Sequence, residues 1–558
     1  MNFLKGALQR DQMINLGQYK AAVDKRLKMW EQNEFAPRFW NKDPTLWFPT
    51  PKPEITDRMG WLGIFEPMHD QLRLMMDLAE QIRNEGVRHI LLLGMGGSSL
   101  APEVYRNSFG RNEDYPSLLV LDSTHPDAVA SVASRIDLKR TVFLVSSKSG
   151  TTTETSSFFY YFWSKVSAIS ATPGRQFIAI TDPGTPLARM AQERNFRKVF
   201  EGPPDVGGRY SALTFFGVVP AFLIGVDGHQ LLDRGWDMAG VSAGYLCEVE
   251  NPSLHLGAAL GELALAGRDK ITFFATPSLE AFPSWIEQLI AESTGKDGKG
   301  LVPIVDEAIE EPWVYRQDRF FVQYSLNSEI SAELNQKMKA FEDAGHPVFR
   351  FSLNNKYDLG QEIFRWEMAV AAAGSVLGIH PFDQPDVQLA KELAKTAMEQ
   401  KSVKVVKPAE SETIMIEHKV VASKALDALI GSARLGDYIA LQAYLAPDDD
   451  KKAALQEFRL ALRDRLKLAT TFGWGPRFLH STGQLHKGGP NAGIFLQIVD
   501  EPTNDIPVPE TNYTFGTLIQ AQALGDFRAL KQKGRRVLRI NLGPDTFKGL
   551  ELLFDLMA

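Results

Sequence analysis

The sequence predicts an α/β protein in which parallel sheets are covered on both faces by the helices that join their strands. Three observations lead there. Short, β-rich apolar runs alternate with helical patterns from about residue 85, the rhythm of repeated βα units with right-handed crossovers. The runs end in turns rich in Gly, Ser, Thr and Asp, as strand-to-helix turns do. The rhythm then restarts near residue 270, in a chain of 558 residues that is too long for one core.

In chain order, residues 1–84 read as a mostly helical arm. Its middle is aromatic and Pro-punctuated, through Trp30, Phe35, Phe39, Trp40, Trp47 and Phe48, and is expected to pack on the first domain. Residues 85–245 form that domain, with strands at His89–Leu93, Leu118–Leu121, Val142–Val145 and Phe177–Ile180. The first strand ends in Gly94-Met-Gly-Gly-Ser-Ser99, and the third runs into Ser146-Ser-Lys-Ser-Gly-Thr-Thr-Thr-Glu-Thr155. Both loops leave the carboxyl edge of the sheet, where ligands bind in such folds. The second loop opens a helix through Phe158–Val166. The first N–H groups of a helix have no internal partner and carry partial positive charge. The loop hydroxyls, and the ammonium of Lys148, add donors there, so a small phosphate ester suits it. Further on, Glu201-Gly-Pro-Pro-Asp-Val-Gly-Gly-Arg-Tyr-Ser211 lets the backbone come close to a ligand and presents the guanidinium of Arg209.

A second domain is expected over residues 246–395, with strands at Ile271–Ala275, Phe320–Tyr324 and Val348–Phe351. Between them a helix from Pro283 stops at Gly295 and carries Gln288 and Glu292 on one face. In the last turn Glu292 gains nothing from the helix dipole, so a raised pKa, useful in a base, is expected. Another helix opens at Phe382-Asp-Gln-Pro385, placing Gln384 and Lys391 two turns apart on one face. Residues 396–558 form a further α/β domain, with strands at Gly493–Val499 and Arg536–Ile540 and a helix from Gly516 to Lys533. Its most polar loop, Gly475 to Pro490, holds His480 and His486 among glycines and small polar residues.

Composition excludes several classes. Net charge is −7 without a basic tract, so nucleic acid is not an expected partner. Cys247 is the single cysteine, which points to no intramolecular disulfide and to the cytoplasm. No uncharged run nears the roughly 18 residues that span a bilayer, and Met1-Asn-Phe-Leu-Lys5 does not read as a signal core. The ten histidines are scattered and show no zinc spacing, so no metal is expected. Gly295-Lys296 is followed by Asp297, which breaks a Walker A pattern. The Gly94–Ser99 turn is a near miss for a dinucleotide fingerprint, with Asp122 closing the next strand, so a nicotinamide dehydrogenase is a rival reading. The Ser147–Thr155 loop counts against it, being redundant once a pyrophosphate fills the first turn.

Together these stretches resemble the glucose-6-phosphate isomerase family. The resemblance rests on Gly96-Gly-Ser98, Ser147-Lys-Ser-Gly-Thr-Thr-Thr-Glu-Thr155, Gly207-Gly-Arg-Tyr-Ser211, Ala291-Glu-Ser-Thr-Gly-Lys296 and Phe382-Asp-Gln384 with Lys391. The C-terminal loops and the lead-in around Trp40 look most like the isomerase half of bifunctional transaldolase/glucose-6-phosphate isomerase chains. The resemblance implies two sugar-isomerase (SIS) subdomains, flavodoxin-like with parallel five-stranded sheets, and a homodimer with shared active sites. It implies aldose–ketose isomerisation of a hexose 6-phosphate without cofactor. Residue by residue, Ser147, Lys148, Ser149, Thr152 and Thr155 match the sugar-phosphate loop, and Gly97 and Ser98 line the same pocket. Gly208 and Arg209 match the pair beside the enediolate, Gln288 a substrate-binding glutamine, and Glu292 the base. Gln384 matches a substrate-contacting glutamine and Lys391 a lysine that assists ring opening. The family's ring-opening histidine loop is missing between Glu292 and Lys391, so His486 is assigned that role, with His480 second. An isomerase for another phosphosugar and a non-catalytic sugar-phosphate sensor are the alternatives.

Overall fold

The computed structural model describes residues 12–243, 251–399 and 412–557, so Cys247 and the chain start lie outside the described residues. After a short strand β1 (Gln12–Asn15), the first sheet is made by β2 (His89–Gly94), β3 (Ser117–Leu121), β4 (Thr141–Ser146), β5 (Phe177–Thr181) and β6 (Lys198–Glu201). Its order is β3-β2-β4-β5-β6 and every pair is parallel. β2 and β4 are covered on both faces, which is why Ile90–Leu93 and Val142–Val145 read as unbroken apolar runs rather than alternating ones. The Thr153–Ser167 helix buries Phe158, Phe159, Phe162 and Val166, one stripe at helical spacing, with Leu91, Leu93 and Phe143 of the sheet.

The second sheet comprises β7 (Lys270–Ala275), β8 (Val302–Ile304), β9 (Arg319–Leu326) and β10 (Val348–Leu353), joined by β1, in the order β1-β10-β9-β7-β8. β1 is antiparallel to β10, so the arm is not purely helical. The arm also packs beyond the first domain: Trp47 Nε1 donates to Ala371 O, and Arg26 Nε donates to Glu262 Oε1. Four residues are too few for a strand pattern to show, and the aromatic residues of the arm do not name their partner.

Residues 412–557 form a third five-stranded parallel sheet from β11 (Ile414–Met415), β12 (Tyr438–Tyr444), β13 (Ala469–Trp474), β14 (Gly493–Val499) and β15 (Arg536–Asn541), ordered β11-β15-β14-β12-β13. The runs β3-β2-β4-β5, β8-β7-β9-β10 and β13-β12-β14-β15 wind in the same second-first-third-fourth order. The chain therefore repeats one winding three times where its sequence shows two units. Among the described residues no helix is long and apolar enough to cross a membrane.

Candidate active site

Gly94 of β2 lies opposite Ser146 of β4, so the loops that follow them emerge side by side at the point where the strand order reverses. Thr152 takes the extended N-cap conformation before the Thr153–Ser167 helix, yet its side chain does not cap it. Its hydroxyl lies 2.9 Å from Ser147 Oγ, while Ser149 Oγ lies 3.0 Å from Thr151 Oγ1. The leading N–H groups of the helix are thus left for an anion. Thr155 Oγ1 is buried there without a hydrogen-bond partner. Lys148 departs from expectation: its Nζ is 2.7 Å from both oxygens of Asp182 and donates to Pro203 O at 3.0 Å. Burial lowers its pKa, with Asp182 opposing. The ammonium is committed to the end of β5 rather than held free for a phosphate.

Two close approaches fix the neighbouring loops. A Cβ on Gly97 would stand 2.1 Å from Gly208 O, and one on Gly96, which sits at φ +54°, would stand 2.6 Å from His480 O. Only glycine lets these backbones touch. Ser98 is buried beside them. Arg209 follows Gly208 and is buried. It donates from Nε to Ser293 Oγ (2.8 Å), from Nη1 to Gln384 Oε1 (2.7 Å), and from Nη2 to the carbonyls of Pro381 (2.8 Å) and Asp383 (3.0 Å). Its Nη1 also lies 3.5 Å from Glu292 Oε2.

The Phe282–Thr294 helix carries Gln288 and Glu292, both buried. Gln288 Nε2 donates to His480 O at 2.8 Å and lies 3.4 Å from Glu292 Oε2. Burial raises the Glu292 carboxyl above its usual range, although Arg209, His480, Lys391 and Lys296 pull the other way. Beyond the helix end, Lys296 is buried with its Nζ 2.9 Å from Asp383 Oδ1. Burial and the neighbouring Arg209 lower its pKa to about 7. Lys391, on the exposed side of the Val387–Glu399 helix, is near enough to act on both Glu292 and Glu154. Gln384 is exposed at the rim.

The two histidines exchange roles. His486 is buried on the short Gly483–Gly488 helix with its ring against Phe478 and Phe495, and its Nδ1 is 3.1 Å from Gln442 Nε2 of β12. Burial lowers its pKa well below the usual value. The assignment of His486 to the site is therefore corrected: it belongs to the core of the third unit. His480 ends the Arg477–His480 turn and reaches the cluster, with Nε2 donating to Glu154 Oε1 at 2.9 Å. Gln522 Nε2 donates to the same oxygen at 2.7 Å. Burial pushes the Glu154 carboxyl up, but His480 and Lys391 bring it net below its usual range. Glu154, Gln522, Ser293 and Asp383 were not singled out as site residues, because each acts through a partner distant in sequence. The Gly-rich setting shared by both histidines carried no signal to separate them.

Fold and site together define an α/β sugar-phosphate isomerase. Residues 70–303 match the family described as phosphoglucose isomerase. The probable glucose-6-phosphate isomerase of Methanococcus maripaludis is 27% identical over 379 residues, covering 60% of this chain and 84% of its own. The glucose-6-phosphate isomerase of Rubrobacter xylanophilus is 26% identical over 379 residues, covering 59% and 87%. In fold, the chain is similar to a hypothetical protein of Thermus thermophilus (TM-score 0.59, 23% identity, 69% of this chain and 99% of that one). It is also similar to a glucose-6-phosphate isomerase of Chlamydia trachomatis (TM-score 0.51, 19% identity, 70% and 81%). The family match ends before Gln384, Lys391 and the whole third sheet.

Proposed function

We propose that the protein interconverts glucose 6-phosphate and fructose 6-phosphate by proton transfer through a cis-enediolate, with Glu292 as the base. The observation that carries the proposal is the pairing of a buried, raised-pKa carboxylate with a buried guanidinium 3.5 Å away. The N-terminus of the Thr153–Ser167 helix, with Ser147, Ser149, Thr152 and Thr155, holds the non-reacting phosphate, which fixes the sugar for transfer. His480, oriented by Glu154, moves the proton between the ring oxygen and the C1 hydroxyl as the ring opens, and Lys391 assists. Glu292 then takes the C2 proton, negative charge gathers on the C1 and C2 oxygens beside Arg209, and the proton is returned at C1. The O2 proton passes to O1, so the C1 carbonyl becomes a hydroxyl as the C2 hydroxyl becomes a carbonyl, and aldose becomes ketose with no net oxidation or reduction. A positioned base contributes about 10²–10⁴-fold, and a donor at the developing oxyanion about 10²–10³-fold.

The test is a coupled assay running from fructose 6-phosphate to glucose 6-phosphate. Glu292→Gln is expected to lose turnover by roughly 10²–10⁴-fold while calorimetry still finds the sugar phosphate bound. Turnover that survives the substitution removes Glu292 as the base. The single Cys247 supports a cytoplasmic setting. The resemblance implies a homodimer; within one chain, His480 of the Arg477–His480 turn already reaches Glu154.

A further inference from the structure

We propose that His69, His229 and Asp233 form a binding site for a divalent transition metal of borderline softness, best matched by zinc. His69 ends the Phe65–His69 helix, and His229 and Asp233 stand at i and i+4 on the Gly228–Ser242 helix, on one face. One ligand atom from each of the three lies within 4.8 Å of the others. Ligands about 2.0–2.1 Å from a tetrahedral ion stand roughly 3.4 Å apart. Here His69 Nε2 is 2.9 Å from Asp233 Oδ1 and His229 Nε2 is 3.5 Å from Asp233 Oδ2. Small side-chain rotations bring all three onto one centre.

The surroundings prepare His69 for the role. Its Nδ1 is 2.8 Å from Phe65 O, the bond a ligating imidazole makes through its other nitrogen. Donation to that carbonyl leaves Nε2 with a lone pair facing a carboxylate. Two lone pairs at 2.9 Å need a cation between them, a proton or a metal ion. The ring is also held in orientation, 4.9 Å from the Trp236 ring and 5.5 Å edge-on from His229. Two imidazoles and one carboxylate suit zinc, cobalt or nickel rather than magnesium or calcium, which take oxygen ligands. His229 and Asp233 are about half exposed, leaving the remaining coordination positions to water. The hydrogen bonds and ion pairs of the three residues stay within this helix pair, apart from the Glu292 cluster. The ion would therefore tie the N-terminal arm to the last helix of the first unit, and would take no part in isomerisation. No spacing rule finds the site, because His69 and His229 are 160 positions apart.

Among the described residues no other three His, Cys, Asp or Glu side chains converge in this way, so one equivalent is expected. The experiment titrates zinc chloride into chelator-treated full-length protein by calorimetry, with magnesium chloride as the control, and follows the melting temperature. Expected are one zinc per chain, no magnesium binding over the same range, and a higher melting temperature with zinc. His229→Gln and Asp233→Asn should each weaken binding at least about 10-fold while isomerase activity is kept. Absence of zinc binding, or unchanged binding in the His229→Gln/Asp233→Asn double variant, overturns the proposal. Both substitutions are on an exposed helix face, so the folded state survives to be measured.

Discussion

Glu292 and Glu154 are both buried glutamates in one site, and their surroundings drive them in opposite directions. Burial raises Glu292, whereas His480 and Lys391 bring Glu154 net down against the burial that pushes it up. Such a split fits the proposed roles, in which one carboxyl exchanges a proton and the other holds a histidine. The pH dependence follows. Below its raised pKa Glu292 is protonated and accepts nothing, so kcat/KM should climb with pH through a limb centred above the ordinary glutamate value of 4.5. A pH–rate profile whose limb sits at or below that value contradicts the assignment. The histidines give a second test. His480→Asn should lower kcat on the order of 10²-fold or more, whereas His486→Asn should lower the melting temperature and leave kcat nearly unchanged. Steady-state kinetics and thermal melts on both variants decide it. Arg209, Gln288 and Glu292, singled out from the sequence, are brought together: Gln288 and Glu292 share one helix face, and Arg209 Nη1 lies 3.5 Å from Glu292 Oε2. Lys148 and His486 were misread because Asp182 and Gln442, the partners that claim them, become neighbours only in the folded chain.

At the scale of elements, the site is made where turns meet. The loops after β2 and β4 share an edge because those strands pair in register, and Gly97 is the point at which the first of them meets the loop carrying Arg209. A methyl group at Gly97 would stand 2.1 Å from Gly208 O, so Gly97→Ala forces one backbone to move. The expected result is a fall in kcat of about 10²-fold, the typical cost of a misplacement near 1 Å, with a folded protein by circular dichroism; unchanged kcat would show that the loops adjust freely. The strands of the first two sheets were readable where both faces are buried, since their apolar runs are continuous. β8 and β11 escaped because three and two residues carry no periodicity. β1 escaped for the same reason, and with it the pairing of the arm to the second sheet.

For the whole molecule, the third sheet is the decisive element. It was legible as α/β but not as a third copy of one winding, because strand order is a property of crossovers rather than of residues. Its contacts are specific: Gln484 Nε2 donates to Gly295 O at 3.0 Å, Gln522 binds Glu154 on one side and accepts from Thr124 Oγ1 at 2.7 Å on the other, and His125 Nε2 lies 3.1 Å from Asp500 Oδ1. Since every group assigned to the reaction belongs to one chain, specific activity should stay constant as the enzyme is diluted to nanomolar concentration, whatever assembly it adopts; activity that falls with dilution would show that a second copy completes the site. The position of His480 has one more consequence, in time. It stands between β13 and β14, in a sheet that also needs β15, so on the proposed assignment a chain emerging from the ribosome would own its base and its phosphate cradle long before it could open a pyranose. Under the proposed role of His480, turnover would begin only once β15 has been made.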